Sequence, residues 1–290
     1  MQDFNFESFN NKYKIHYDND RKVPDYKFLT WFIGFTEGDG SFVISKTSKE
    51  LQFVVTQSTE DIAILQYIQE NLGFGKVIKQ GKRTSRYVVQ DFSNLHLIIL
   101  LFNGNIVLPT RKKNFKDFLD KFNPKIVKKK NKTYDYASGS GQGIAVEYRV
   151  SHILPSLGNS WLSGFTDAEG CFTVSFLKTS NAFRLRYIVS QKGDSNLPIL
   201  SSLILLFQTG AIEAHSAKSN YSYILSGVKA CYNVYSYFYN FKLKTKKAIS
   251  FELWKEIHSS IAKKGHLDLE LRDTLIDKAK KVNSIKRKSK

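Results

Sequence analysis

The sequence is poor in the residues that build the commoner kinds of site. Only two cysteines, Cys171 and Cys231, occur in 290 residues. Two thiols make neither a disulfide framework nor a zinc-ligand cluster, and a reducing compartment is the default expectation. Long apolar runs are missing too: the longest lies around Leu97–Phe102, far below the roughly 20 residues a membrane-spanning helix needs. There is no phosphate-binding loop, no Cys/His metal spacing and no nucleophile elbow. His215 has no partner motif, and the other five histidines are scattered. Acids are in the minority, 26 against 44 Lys plus Arg, for a formal net charge of +18. A chain this basic is expected to meet a polyanion, nucleic acid first and an anionic membrane surface second. Only nine of the 44 basic residues are Arg, and Met1 is the one methionine; with plentiful Asn, Ile, Phe and Tyr, this usage suggests an AT-rich coding genome. The first 25 residues carry Asp3, Glu7, Asp18, Asp20 and Asp25. That is unlike an acid-poor, Arg-rich transit peptide. The segment 1–25 reads as an extension outside the fold, so that removing 1–20 is expected to do no harm.

What is present is a repetition. Trp31-Phe-Ile-Gly-Phe-Thr-Glu-Gly-Asp-Gly40 matches Trp161-Leu-Ser-Gly-Phe-Thr-Asp-Ala-Glu-Gly170, 130 residues later. Phe53-Val-Val-Thr-Gln57 matches Tyr187-Ile-Val-Ser-Gln191, Gly73-Phe-Gly75 falls opposite the segment ending at Gly210, and Thr110-Arg-Lys112 opposite Thr245-Lys-Lys247. Four matches in one order, at offsets drifting only from 130 to 135, mean a duplicated domain. The repeats are placed at 26–123 and 157–260. Between them, 124–156 holds Lys125, Lys128, Lys129, Lys130 and Lys132, then Ser138-Gly-Ser-Gly-Gln-Gly143, a basic and flexible linker that suits a phosphate backbone or is simply solvated. The tail 261–290 is basic, with Leu267, Leu271, Leu275 and Ile276 suggesting a short amphipathic helix before a loose end.

Within each repeat the hydrophobic period alternates between helical and extended. Phe28–Thr36 and Ser160–Asp167 read as apolar helices. Ser41–Lys46, Leu51–Gln57, Cys171–Lys178 and Arg184–Gln191 read as strands. Asp61–Leu72 and Leu197–Phe207 are helices, followed in the first repeat by strands near Lys76–Gln80 and Arg86–Gln90 and helices near Leu95–Phe102 and Lys112–Phe122. The fold class is therefore α+β, an αββαββα unit used twice. One face of each sheet must bury against helices. The other is polar and meets DNA or water: Ser41, Ser45, Gln52, Thr56, Lys76, Gln80, Arg86 and Gln90 in the first repeat, and Thr173, Ser175, Arg184, Arg186, Ser190, His215 and Ser222 in the second. Arg, Gln and Lys side chains can bond base edges in a major groove.

Gly34 and Gly38 are four apart on one helical face, as are Gly164 and Ala168. Small residues at that spacing let two helix backbones approach closely. Gly40 and Gly170 suit a helix stop in the left-handed conformation. Just before each stop stands an acid, Asp39 or Glu169. If the two helices pack side by side, these carboxylates meet at negative helix C-termini, which is unfavourable unless a cation joins them. Oxygen ligands and a few waters are what Mg²⁺ prefers, and metal ions between an attacking water and a leaving 3′ oxygen promote phosphodiester hydrolysis.

Both motifs resemble the LAGLIDADG signature of homing endonucleases. Phe32 to Gly40 matches it, with Phe32 where Leu is usual and Glu37 where Asp is usual; Leu162 to Gly170 matches it with Glu169 as the second acid. The resemblance covers about 26–258. It implies a monomer of two pseudo-symmetric repeats, saddle-shaped antiparallel sheets in successive major grooves, and motif helices packed at the domain interface. It also implies cutting of both strands of double-stranded DNA across a minor groove to leave short 3′ overhangs. Carried over residue by residue, Asp39 and Glu169 become the metal ligands and Gln57 and Gln191 the residues that order water. A lysine near the scissile phosphate falls within Arg111-Lys-Lys113 and Lys246-Lys247, with Lys112 and Lys247 the nearest matches and a plain backbone clamp as the other reading. Mg²⁺ is the implied cofactor, with Mn²⁺ able to substitute and Ca²⁺ binding without supporting cleavage. Organellar intron coding is implied as well, in a mitochondrion or a plastid, with no membrane and no protein partner. Two other classes share the fold and the charge: a maturase that binds its own intron RNA, and a DNA-binding regulator that does not cut.

Overall fold

The computed structural model describes residues 2–129, 145–177 and 179–283. Lys130, Lys132 and the Ser138–Gly143 stretch of the expected linker, and the last seven residues of the tail, lie outside the described residues.

In chain order the first half comprises α1 (Glu7–His16), α2 (Tyr26–Asp39), β1 (Gly40–Ile44), β2 (Leu51–Ser58), α3 (Ile62–Leu72), β3 (Lys76–Gln80), β4 (Thr84–Val89), α4 (Phe92–Phe102) and α5 (Pro109–Lys129). The second half comprises α6 (Trp161–Glu169), β5 (Gly170–Phe176), β6 (Phe183–Lys192), α7 (Leu197–Phe207), β7 (Ala211–Ala214), β8 (Asn220–Ser226), α8 (Val228–Tyr232), α9 (Tyr235–Asn240), α10 (Lys247–Ala262) and α11 (Leu269–Lys281). Each half builds one four-stranded antiparallel sheet, in the orders β1-β2-β4-β3 and β5-β6-β8-β7. The identical order in both halves is the duplication made visible in three dimensions. Among the described residues, no helix is long and apolar enough to cross a membrane.

Strand register sets which residues share a face, because directly opposed residues project to the same side. Ser41 stands opposite Val54, Val43 opposite Gln52, and Thr56 opposite Arg86, which also faces Ile78. The alternate set, Phe42, Phe53, Val55, Tyr87 and Val89, turns inward onto α4 and α5, where Phe42 packs on Phe102, Phe115 and Phe118. Phe172, Leu185, Tyr187, Val189, Tyr223 and Leu225 fill the same role in the second half and are fully buried.

The N-terminal segment is not an extension outside the fold. Phe4, Phe6, Phe9 and Tyr13 are buried in the common core, and α1 lies along α4. Asn5 and Asn105 exchange hydrogen bonds of 2.9 and 2.8 Å, and the Tyr13 hydroxyl donates to Leu72 O at 3.1 Å. Acidic residues around one apolar stripe hid an amphipathic docking helix. Phe9→Ala should therefore cost about 3–5 kcal/mol, the usual range for truncating a buried phenylalanine. Urea unfolding that leaves the midpoint unmoved would contradict this packing.

The tail is likewise anchored as far as Asn283. Leu275 and Val282 are buried, Arg272 Nη2 donates to Leu177 O and Ser180 O at 2.9 and 2.6 Å, and Asn283 Nδ2 donates to Phe172 O at 2.7 Å. Leu267 and Leu271, expected on the apolar face, remain about half exposed. The linker differs too. Helix α5 runs through Pro124 to Lys129, and residues from Val146 on are pinned by asparagines: Asn123 bonds Val146 twice, and Asn103 bonds Glu147 O and Arg149 N.

Candidate active site at the paired helix ends

Helices α2 and α6 pack against each other through their glycines. A Cβ built on Gly34 would fall 2.0 Å from Trp161 O, and one on Gly164 would fall 1.9 Å from Trp31 O. Gly38 meets Ala168 and Glu169 in the same way, at 2.3 Å from Ala168 Cβ and 3.0 Å from Glu169 Cγ. The tryptophans that open the motifs then reach across. Trp31 Nε1 donates to Asp167 Oδ2 at 2.9 Å, and Trp161 Nε1 donates to Glu37 Oε1 at 3.0 Å. Each buried acid also receives main-chain N–H groups from the segment leading to the last long helix of its own repeat. Glu37 takes those of Val107 and Leu108; Asp167 takes those of Lys244 and Thr245. Burial pushes the Glu37 carboxyl up to about 7, against the three N–H donors and Arg111, which favour its charged form. These two acids are structural: they tie each motif helix to both repeats. The sequence held a signal for them. A Trp buried in an apolar helix must find an acceptor for its N–H, and the same motif offers one in the opposite repeat.

Gly40 and Gly170 end the helices without the left-handed turn expected of them. Their backbone is extended, with φ/ψ of −93/162° and −79/156°, so each helix runs straight into the first strand of its sheet. Glycine is required here for space, because a Cβ would lie 2.8 Å from Thr36 O or Thr166 O.

Asp39 and Glu169 close the two helices and are only partly buried. Gln57 Nε2 donates to Asp39 Oδ2 at 2.6 Å. Burial raises the Asp39 carboxyl, while Gln57, Lys247 and Arg111 pull it down. Glu169 is raised by burial and then by the charge of Asp39; Lys247, Arg111 and Gln191 oppose this. The two acids are neighbours: a Cβ on Gly38, next to Asp39, would lie 3.4 Å from Glu169 Oε1. Lys247 Nζ donates to Thr166 O at 3.1 Å and Ala168 O at 2.7 Å, and burial lowers the pKa of its ammonium.

In the first repeat the corresponding place belongs to Arg111, not Lys112. Arg111 donates to Glu37 O, Gly40 O and Gly38 O at 2.6, 3.2 and 2.6 Å. Lys112 turns away and donates to Ser151 O at 2.8 Å. One residue on a helix is a rotation of about 100°, and the second repeat has one extra residue between its Thr and its cation, which misaligned the cluster. Each cation sits on the carbonyl end of a motif helix, where a positive charge offsets the negative helix terminus. Should the paired acids act on a phosphodiester, as the motif resemblance implies, Arg111→Ala is expected to slow that reaction about tenfold or more and Lys112→Ala less than about threefold, on the scale of losing one charge-stabilising donor against none; equal effects in a time course would refute this placement.

An open cleft of about 450 Å³ is lined by Thr110, Arg111, Glu169, Gln191 and Lys192, among others. It combines the acid and glutamine of the second repeat with the cation of the first. Asp39, Gln57 and Lys247 form the reciprocal set. No group of three His, Cys, Asp or Glu side chains that could hold a metal occurs among the described residues. Any ion at Asp39 and Glu169 would therefore draw its remaining ligands from carbonyl or amide oxygens, water and a bound phosphate.

Register places all the sequence-selected polar residues lying within the strands on the outer sheet faces, away from the core. Ser45 and Gln90 lie just beyond strand ends, and His215 N extends the β7–β8 ladder to Asn220 O. Ser222 is the exception in access. It is fully buried, with Ser190 Oγ and His215 Nε2 each 2.6 Å from its hydroxyl. Arg184 is exposed, whereas Arg186 is half-buried with Glu213 at 4.0 Å. Val43 and Ile78, not selected from the sequence, are exposed on the same face of the first sheet.

Two αββαββα repeats, joined by glycine-packed helices that end in neighbouring acids, define the two-repeat meganuclease architecture. The chain belongs to the LAGLIDADG endonuclease family, whose model matches residues 32–122 and again 162–258. A Neurospora crassa protein named "Probable intron-encoded endonuclease 4" is 41% identical over 250 residues, which is 84% of this chain but 42% of that protein; the chain thus spans less than half the length of this relative. Among solved structures, meganuclease I-SmaMI bound to uncleaveable DNA superposes with a TM-score of 0.73 at 19% identity, covering 90% of this chain and 99% of that one. The same protein bound to an uncleaved DNA target in the presence of calcium ions gives 0.71 at 18%, covering 88% and 98%.

Proposed function

We propose that this chain is an intron-encoded, site-specific endonuclease that cuts both strands of a long double-stranded DNA target, acting as a monomer with Mg²⁺ or Mn²⁺. The observation that carries the reading is that the acid, glutamine and cation needed for phosphodiester hydrolysis occur twice, once for each strand, on either side of one helix junction. Both relatives described above carry names or bound molecules that fit: one is called intron-encoded, the other was seen with DNA and calcium ions. Coding within a mitochondrial intron fits the AT-rich usage, and the N. crassa relative is named as intron-encoded.

In this reading Asp39 and Glu169 hold the metal, together with phosphate oxygens and water. A bound ion would supply Lewis acidity at the phosphate and lower the pKa of a nearby water. Gln57 and Gln191 orient the attacking water through their side-chain amides. Lys247 spends two of its three N–H donors on Thr166 O and Ala168 O, and Arg111 spends three of its five on the α2 terminus. The remaining donors are free to meet the charge that builds on the phosphate. The water oxygen bonds to phosphorus and sheds a proton to solvent, the P–O3′ bond breaks, and the 3′ oxygen takes up a proton, leaving a 5′ phosphate and a 3′ hydroxyl. The outer faces of the two sheets, led by Arg184, Arg86, Lys76 and Gln80, read base edges in the major groove to either side.

The test is a cleavage assay on the intronless allele of the host gene, with and without EDTA. Linear product that requires Mg²⁺ or Mn²⁺ supports the proposal. No cutting in either ion, alongside tight binding to the intron RNA, would replace it with a maturase; tight DNA binding alone would leave a regulator.

A further inference from the structure

The turns that follow β2 and β6 carry a pair of buried polar residues that the site described so far does not use. Asp61 ends the short 3₁₀ turn Thr59–Asp61, and Asn196 ends its counterpart Asp194–Asn196. They lie four and five residues beyond Gln57 and Gln191, and are only 4% and 0% exposed. Buried polar side chains keep hydrogen-bonding partners, and here each has a partner in the opposite repeat. Asn196 Oδ1 accepts from Thr110 N at 3.3 Å and faces the Thr110 hydroxyl at 3.2 Å, while its Nδ2 reaches the same hydroxyl at 2.9 Å. Asp61 Oδ2 pairs with Lys246 Nζ at 3.1 Å.

Thr110 immediately precedes Arg111, and Lys246 immediately precedes Lys247. Each turn therefore grips the other repeat's last long helix one residue before its cation. Asn196 does more: its Nδ2 also bonds Lys192 O at 2.9 Å and approaches Gln191 Oε1 at 3.5 Å. One side chain thus links the glutamine and the cation side of the cleft that holds Glu169. The two clamps are related by the pseudo-two-fold but differ chemically, one an ion pair, the other neutral hydrogen bonds.

We propose that Asn196 and Asp61 are positioning residues, each setting the cation of one of the two half-sites across the repeat boundary, so that the two strands are cut under separate control. This rests on the endonuclease reading above. Positioning matters because a displacement of about 1 Å in a reacting group can cost up to a hundredfold in rate.

The experiment uses the full chain in Mg²⁺ and a target duplex whose strands carry different fluorophores. The cutting rate of each strand is followed at saturating enzyme. Thr110→Val removes the hydroxyl that Asn196 holds, and Lys246→Met removes the charge that Asp61 holds. Each is expected to slow one strand about tenfold and the other less than twofold, with nicks accumulating on opposite strands in the two variants. Thr110→Ser and Lys246→Arg, which keep the hydroxyl and the charge, are expected to restore parallel cutting. DNA affinity and melting temperature are measured on the same samples. Parallel slowing of both strands, with or without a lower melting temperature, would overturn the assignment, as would nicks on the same strand in both variants. Wild-type protein that cuts neither strand would instead remove the endonuclease reading, and this inference with it.

Discussion

Asp39→Asn and Glu169→Gln are each expected to abolish double-strand cleavage while leaving target binding intact. Both acids lie at the C-terminal ends of packed helices, where helix carbonyls already concentrate negative potential. Burial and, for Glu169, the charge of Asp39 raise both pKa values. Charged, partly buried and neighbouring carboxylates oppose folding, and such an arrangement is expected where a cation is to be bound. Removing one negative oxygen from a site whose described residues offer only this pair of acids should lower cleavage by about three orders of magnitude or more, in line with losing a principal electrostatic contributor. Affinity should stay the same or rise, because each substitution takes a negative charge away from approaching phosphates. Gel-shift titration in Ca²⁺, which is expected to support binding without cutting, measures the second quantity apart from the first. A variant that still cuts within tenfold of wild type would show that its side chain is not a ligand.

Much of this site was legible because the duplication compares the chain with itself. Trp31, Gly34, Asp39 and Gln57 each have a counterpart at a nearly constant offset, and packing the repeats about a two-fold brings the counterparts together. Arg111 escaped because the spacing slips by one residue at the start of the last helices, and on a helix one residue decides which side chain faces the acids. The roles of Glu37 and Asp167 escaped for a different reason. Their partners are main-chain N–H groups some 70 residues away and an indole of the opposite repeat, and no local pattern records such contacts. The docking of α1 escaped because the segment precedes the first repeat and has no counterpart in the second, yet Phe4, Phe6, Phe9 and Tyr13 are buried in the core and α1 packs on α4.

Gly34→Ala and Gly164→Ala are expected to be the most destabilising single methyl additions among the described residues. The new methyl would meet a main-chain carbonyl oxygen at 2.0 or 1.9 Å, and a helix backbone cannot move aside as a side chain can. Relief requires α2 and α6 to separate by more than an ångström. That separation would stretch the Trp31–Asp167 and Trp161–Glu37 hydrogen bonds, which stand at 2.9 and 3.0 Å in a fully buried setting. Leaving a buried carboxyl short of a donor is itself destabilising, by about 1.5–3 kcal/mol for a hydrogen bond to a charged group. Total domain stabilities are only about 5–15 kcal/mol, so either variant should lose its cooperative thermal transition or melt far below wild type. Gly158→Ala is the matched control, since its nearest neighbour is Ser156 Oγ at an ordinary 3.4 Å. A Gly34→Ala protein that melts with the control would mean that the helices are not in contact there. Gly38→Ala should fall between the two. Its nearest obstacle is Ala168 Cβ at 2.3 Å, a methyl fixed to the α6 backbone, so the helices must still shift there, while Glu169 Cγ at 3.0 Å can turn aside. Cleavage should then drop by a larger factor than stability alone explains, because one of the displaced side chains is one of the two acids.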